Sequence, residues 1–204
     1  MLLEFRFNNA DNVRMTKGRP KEFDEDQALQ AAMQVFWKRG YDNASCDELL
    51  GAMGINAGSM YATFGDKRAL YERAFDSYCQ TKFAGILRIL NGSGSPLENV
   101  RELVSCWGNM DCKGCMVFNT LIEFGNESKG VGKLAKKVVS RLRQEFEEKL
   151  TAAKDAGELG ETANPKELAA FLLNTAQGLN VSAHASVGKE AIQGVVKTTL
   201  AVLC

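Results

Sequence analysis

Residues 106 to 115 read CWGNMDCKGC, three cysteines in ten positions, of which Cys112 and Cys115 form a C-x-x-C pair. Thiols at that spacing can cycle between dithiol and disulfide or hold a soft metal. Zinc normally takes four ligands and the chain has a single histidine, His184. The chemistry open to Cys106, Cys112 and Cys115 is therefore thiol or soft-metal sensing, with a dithiol oxidoreductase as the enzymatic alternative. His184 itself reads as a polar residue near a subunit contact or pocket rather than a base or ligand. A second stretch, GINAGSMYATFGDKRALY at residues 54 to 71, carries chemistry of another kind. Asn56 and Ser59 bear an amide and a hydroxyl, Tyr61 and Thr63 bear hydroxyls, Lys67 bears an ammonium, and Gly58 leaves its backbone bare. These groups donate and accept hydrogen bonds; they do not break covalent bonds. No nucleophile stands beside a base, no carboxylates pair in a recognisable motif, and no glycine loop is shaped to cradle phosphate, so the residues argue against an enzyme and against a bound cofactor.

The elements that position these groups are helices. From Phe23, Ala28, Ala32, Val35 and Phe36 repeat on one face until Gly40, with Asp24, Glu25 and Asp26 at the N-terminus, where carboxylates are favoured. Ser45 with Glu48 reads as a capping box opening a short second helix that Gly54 stops. NAGSMYATF allows about two turns of a third helix, Gly65 ends it, and Asp66 caps a long fourth marked by Tyr71, Phe75, Cys79 and Phe83. NGSGSP breaks the pattern at residues 91–96. Leu97 to Trp107 and residues 115–125 predict helices five and six. Val131 to Leu150 predicts a seventh with a solvated face of Lys133, Lys136, Lys137, Arg141, Arg143, Glu145, Glu147 and Glu148. Pro165 and Lys189 open two last helices too apolar to touch only their own subunit. The fold class is all-α.

With 45% hydrophobic residues and zero formal net charge, 204 residues can bury a sizeable core without staples, and bulk charge neither demands nor excludes a polyanionic partner. No run of about 18 apolar residues offers a membrane span, and the start lacks a secretory leader, so a reducing cytoplasm is expected. MTKGRPKEFDED reads like a natural N-terminus, which makes Met15 an alternative start.

Two short helices joined at Gly54, the second polar and aromatic, match a helix-turn-helix whose second helix enters the DNA major groove. Asn56, Ala57, Gly58 and Ser59 would approach base edges, sugar and phosphates, and Tyr61 and Thr63 would meet phosphate oxygens. Lys67 and the first N–H groups of helix four would grip one phosphate together, and Ser45 would do the same at helix two. Phe64 and Trp37 read as core and Tyr61 as a contact.

The stretch from Phe23 to Phe75 resembles the DNA-binding domain of the tetracycline repressor (TetR) family, through AAMQVFWKRGYDNAS and the spacing Gly54, Ile55, Gly58, Ser59, Tyr61, Phe64, Lys67 and Leu70. The resemblance implies an all-helical homodimer of about nine helices that binds a palindromic double-stranded operator. Its half-sites would lie about 34–36 Å apart, and a small hydrophobic inducer would release it. It implies an arm at residues 1–20 whose GRPK places Arg19 in the minor groove, a DNA-binding domain at 21–75 and a ligand-binding and dimerisation domain at 76–204. Helices eight and nine would form the dimer seam and helices four to eight the inducer pocket, with Trp107, Met110, Met116, Phe118, Ile122 and Phe171 as candidate lining. GCMVFNTLIEFG resembles the start of helix six in part of that family, which makes Cys115 mainly structural there. Charge in the first 75 residues nearly cancels, and positive side chains gather at Arg14, Lys17, Arg19 and Lys21 and again at Lys67 and Arg68, so phosphate contact is expected to rest on helix ends and the arm.

Overall fold

The computed structural model describes residues 23–109, 113–127 and 129–203. Among them are nine α-helices and no strand: α1 Glu25–Arg39, α2 Cys46–Met53, α3 Ala57–Phe64, α4 Lys67–Leu90, α5 Pro96–Cys106, α6 Met116–Phe124, α7 Gly130–Asp155, α8 Pro165–His184 and α9 Lys189–Val202, with a 3-10 turn at Trp107–Asn109 after α5.

The first four helices each begin on a side-chain oxygen that accepts a backbone N–H three residues on. Asp24 takes Gln27 N at 3.0 Å, Ser45 takes Glu48 N at 3.1 Å, Asn56 takes Ser59 N at 2.8 Å and Asp66 takes Ala69 N at 2.8 Å. Each cap is worth about 1 kcal/mol, which matters most for α2 and α3, at eight residues too short to be helical by themselves. Gly54 ends α2 at φ 66, ψ 27, a left-handed conformation that a residue with a Cβ adopts only at a cost of about 1 kcal/mol. That single turn sets the angle between α2 and α3.

The capping box read at Ser45 is half made. Ser45 caps, but the Glu48 carboxylate bonds Arg39 at 3.0 Å instead of returning to the Ser45 N–H. The full reciprocal box lies at Ser95 and Glu98, where it opens α5. On α7, Glu145 is not on a solvated face as its charge suggests. It is buried and pairs with Arg141 one turn earlier, since a carboxylate taken out of water needs a cation close by.

Two main cores hold the helices. Phe36, Leu49, Met60, Leu70, Tyr71 and Phe75 pack together with Phe124 and Val131 of α6 and α7. Leu90, Val104, Phe146, Leu150, Leu172 and Leu179 form the second. The first core runs without a break from α1–α4 into α6 and α7, so the division expected at residue 75 crosses packed side chains. Among the described residues no helix is long and apolar enough to cross a membrane.

Candidate functional site

α3 lies on the surface. Met60 and Phe64 anchor its inner face, fully buried, while Asn56, Ala57 and Gly58 are exposed and Tyr61 is 55% exposed. Ser59 and Thr63 are half-buried at the flanks. Alternation at helical period thus splits eight residues into a packed side and an open edge of amide, hydroxyl and phenol. Arg73 fixes the far end, donating to the Thr63 carbonyl at 3.1 Å with its guanidinium 4.7 Å over the Phe64 ring. Asn56 has two roles in this geometry: its Oδ1 is committed as the cap, and its Nδ2 remains as the donor at the tip of the edge.

The charges around this edge differ from the expected pattern. The joint grip by Lys67 and the α4 N-terminus is not preformed, because the Asp66 carboxylate already accepts an N–H of the first turn and the Lys67 ammonium lies 4.6 Å over the Tyr41 ring. Between residues 23 and 75 there are eight carboxylates and five basic side chains. All three arginines are paired: Arg39 with Glu48, Arg68 with Glu72 and Glu127, and Arg73 with Glu25 at 3.7 Å. Arg19, with Arg14, Lys17 and Lys21, lies outside the described residues.

Four ties run from this helical head to residues 114–127. Trp37 Nε1 donates to the Gly114 carbonyl at 3.0 Å, and the Tyr41 N–H donates to both oxygens of Glu123 at 3.0 Å. Tyr71 and Thr120 share a hydroxyl hydrogen bond of 2.9 Å. Arg68 bonds both carboxylate oxygens of Glu127, at 2.7 and 3.2 Å, and lies 4.5 Å over Phe124. The hydrogen bond from Arg68 holds the Glu127 carboxyl below its usual range, and the same bond raises the Arg68 guanidinium. A carboxyl depressed by folding contributes stability above its unfolded value, near 4.3 for glutamate, and that contribution is lost as pH falls through the lower folded value. We expect Glu127→Gln to lower the melting temperature at pH 7 and to flatten its decline between about pH 5 and 3. Parallel melting curves for the two proteins through that window would exclude the tie.

Behind these ties is a cavity of about 310 Å³. Its wall is aromatic, with Trp37, Tyr78, Phe83, Trp107, Phe118 and Phe146, and among the described lining residues Lys82 is the one charged side chain. Three thiols, Cys79, Cys106 and Cys115, also face it. The Tyr78 hydroxyl accepts the Met116 N–H at 3.3 Å and donates to Cys115 Sγ at 3.8 Å. Burial and the neighbouring Cys115 push the Tyr78 phenol well up, so it stays protonated and remains a donor. The turn at residues 113–115 is held by a polar cluster. Asn180 accepts the Cys115 N–H and donates to Asn119 at 3.0 Å, His184 meets the same Asn119 oxygen at 2.9 Å, and Asn119 donates to the Lys113 carbonyl at 3.1 Å. Gly114 has φ +60, and a Cβ there would strike the Asn180 carboxamide, so both torsion and space require glycine. The cavity wall and the ties to the head share one element, α6 with its leading turn.

Residues 28–74 match the family described as "Bacterial regulatory proteins, tetR family", and residues 96–199 match "Tetracyclin repressor-like, C-terminal domain". A Bacillus subtilis protein described as the uncharacterized HTH-type transcriptional regulator YezE is 32% identical over 192 residues, 91% of this chain and 99% of its own. The chain belongs to the TetR family of bacterial transcriptional regulators. Among its relatives, the HTH-type transcriptional repressor ComR of Escherichia coli is 27% identical over 194 residues, 92% of either chain. A solved structure of the TetR family regulator CifR, a cysteine mutant complexed with 26-bp operator DNA, has 32% identity and a TM-score of 0.79, covering 90% of this chain and 98% of its own.

As a TetR family member the chain is a DNA-binding transcriptional regulator and not an enzyme, which removes the dithiol oxidoreductase alternative. The fold gathers Asn56, Ala57, Gly58, Ser59, Tyr61 and Thr63 on one short helix, with Ser45 exposed at the start of α2. Of the expected pocket residues, Trp107 and Phe118 line the cavity, and Met110 lies outside the described residues. Met116 is buried but turns about 100° away from Val117 and into the first core. Ile122 is 73% exposed, one turn beyond the point where α8 covers Phe118. Phe171 is 40% exposed, because its neighbour Leu172 takes the inward position on α8. Reading Trp37 as core missed its place: it is half-buried, and it carries the cavity wall into α1. Tyr78 and Phe146 were also missed, since each continues a helical stripe that packing alone explains, and Lys82 because an exposed lysine on a helix carries no signal of its own. Cys112 lies outside the described residues. Among those described, no cluster of histidine, cysteine and acidic side chains could hold a metal.

Proposed function

We propose that this regulator is a repressor that sits as a homodimer on a palindromic operator and leaves it when a small apolar compound enters the cavity. The observation that carries this reading is the sharing of α6. The turn leading into it borders the cavity at Gly114 and Cys115, and Glu123 in its last turn and Glu127 just past its end hold Tyr41 and Arg68 of the DNA-binding head. A compound that pushes on the 113–115 turn shifts α6. Its carboxylates then drag the α1–α2 loop and the start of α4, changing the spacing of two recognition helices by the few ångströms that release DNA. Asn56 and Tyr61 contact the groove and backbone, with Ser45, Ala57, Gly58, Ser59 and Thr63 beside them and Lys67 swinging off Tyr41 to reach a phosphate.

Two further facts support the reading. Val181, Val195 and Val202 on α8 and α9 are 57%, 45% and 47% exposed, a run of aliphatic surface on neighbouring helices that a second subunit would bury. ComR and BdcR, both of Escherichia coli, are described as repressors, and CifR was solved on operator DNA. A bacterial protein that acts on DNA works in the cytoplasm.

Light scattering and a mobility shift on the DNA upstream of its own gene test the reading together. The expected result is a dimer that retards this DNA at nanomolar concentration in moderate salt. Tyr61→Ala, which removes an exposed side chain and no core contact, should weaken the shift about 10-fold while leaving the melting temperature unchanged. A monomer that ignores the DNA, or a Tyr61 variant that binds as tightly as the parent, would refute it.

A further inference from the structure

The cavity wall is apolar along most of its lining, and one residue of α4 breaks the pattern. Tyr78, Lys82 and Ile86 follow one another at spacings of four and all line the cavity, so the Lys82 ammonium interrupts a stripe of ring and aliphatic groups. No aspartate or glutamate follows Asp76 on α4, and the residues one turn to either side of Lys82, namely Tyr78, Cys79, Gly85 and Ile86, include no carboxylate. Among the described residues Lys82 makes no ion pair; its ammonium lies 5.6 Å from the centre of the Trp37 ring. A second cation converges on that ring. Lys113, on the turn leading into α6, places its Nζ 5.0 Å over Trp37 and donates to Gln34 Oε1 on α1 at 3.2 Å. Two ammonium groups thus share one indole beside a cavity whose described lining holds no aspartate or glutamate. Charge of one sign at the edge of a low-dielectric wall concentrates the field there, which makes this rim attractive to an anion.

We infer that the compound this cavity takes is a small apolar carboxylate, its body packed against the aromatic wall and its carboxylate paired with Lys82 at the rim. The proposal rests on the reading of the cavity as the inducer site and names the class of compound that enters it. The division of the wall suits a molecule with two unlike ends. Phe83, Trp107, Phe118 and Phe146 offer ring faces and edges to an apolar body. Lys82 is exposed, so a carboxylate paired with it keeps part of its water shell and escapes most of the cost of burying a charge. The polar end is thereby fixed at one side of the cavity, as the few polar groups of an apolar pocket commonly do. A neutral compound of the same shape gains nothing from the ammonium. A cationic one could be held by the rings, but it meets Lys82 and Lys113 at the rim and is disfavoured by both. A volume of about 310 Å³ accommodates one ring with a short chain.

The test uses 4-phenylbutanoate, 4-phenylbutanamide and 4-phenylbutylamine, which share one body and differ in the charge at one end, with the full-length protein. The two tryptophans of the chain, Trp37 and Trp107, both line the cavity, so intrinsic fluorescence reports its occupancy directly. The carboxylate should change the fluorescence and release the operator at about 10-fold lower concentration than the amide, the difference expected of a charge-assisted bond at a partly exposed site, and the amine should act last. In Lys82→Met the ratio of carboxylate to amide should fall to about one, and in Lys82→Glu the amine should overtake the carboxylate. A general loss of packing would weaken all three compounds alike and leave their order unchanged. Equal action of carboxylate and amide on the parent protein, or a carboxylate preference that survives Lys82→Met, overturns the proposal and leaves the cavity reading standing. A carboxylate preference in fluorescence with the operator still bound supports the ligand class and overturns the reading of the cavity as the inducer site. No fluorescence change with any of the three overturns both.

Discussion

Deletion of residues 1–21 should lower operator affinity by on the order of 100-fold at about 0.1 M salt and flatten the salt dependence by roughly 3 to 4 in log–log slope per subunit. The reason is the balance of charge within the head. From residue 23 to residue 75 carboxylates outnumber basic groups, and the three arginines are tied to glutamates. Helix N-termini that elsewhere receive phosphate are capped here by Asp24 and Asp66, which hold the partial positive charge with their own oxygens. Beside Lys38 and Lys67, the cations that can displace counterions are those of the first 21 residues, among them Arg14, Lys17, Arg19 and Lys21. Every phosphate that a deleted cation no longer neutralises takes about 0.9 from the slope, so a deletion that leaves the slope unchanged would show that the head grips the phosphates by itself after all. Far-ultraviolet circular dichroism on the shortened protein checks that the helices remain.

Tyr71→Ala should cost about 3 to 5 kcal/mol, a drop in melting temperature on the order of 10 °C for a chain of this size. Tyr71 is 1% exposed, with its ring centroid 4.9 Å from Phe36 at 89°, 5.2 Å from Tyr41 and 5.5 Å from Phe124. Three elements, α1, the α1–α2 loop and α6, meet on that one ring. Burial raises the phenol well above its ordinary value, so the hydroxyl stays neutral and keeps its bond to Thr120 at all working pH values. Tyr71→Phe separates the two contributions. It keeps the ring stack and loses one hydrogen bond, and Thr120 still donates to the Met116 carbonyl at 2.7 Å, so the expected loss is about 1 kcal/mol. Equal destabilisation by the two substitutions would mean that the stack contributes little and the hydroxyl bond dominates.

The exposed polar edge of α3 was legible in the residues because it is local. A cap, eight residues and a glycine stop fix which side of α3 is packed and which is open, and Tyr61 and Phe64 fell on the sides their spacing assigned. The cavity was legible only in part. Trp107 and Phe118 were found because they lie in the apolar stretch around helix six, whereas Ile122 and Phe171, equally apolar and equally periodic, face outward.

The chain order by itself determined helix number, helix ends and the polar edge of α3, since propensity, caps and period three to four act over a few residues. Only the tertiary structure decided that Trp37, 77 residues from the carbonyl it bonds, forms part of the cavity wall. It also decided that Glu145 is buried beside its arginine and that α6, with the residues just past its end, ties the cavity wall to the DNA-binding head through Glu123 and Glu127. Those outcomes depend on which helix covers which face, and that is settled by packing between segments far apart in sequence, where a periodic apolar stripe looks the same whether it meets a core, a cavity or another subunit.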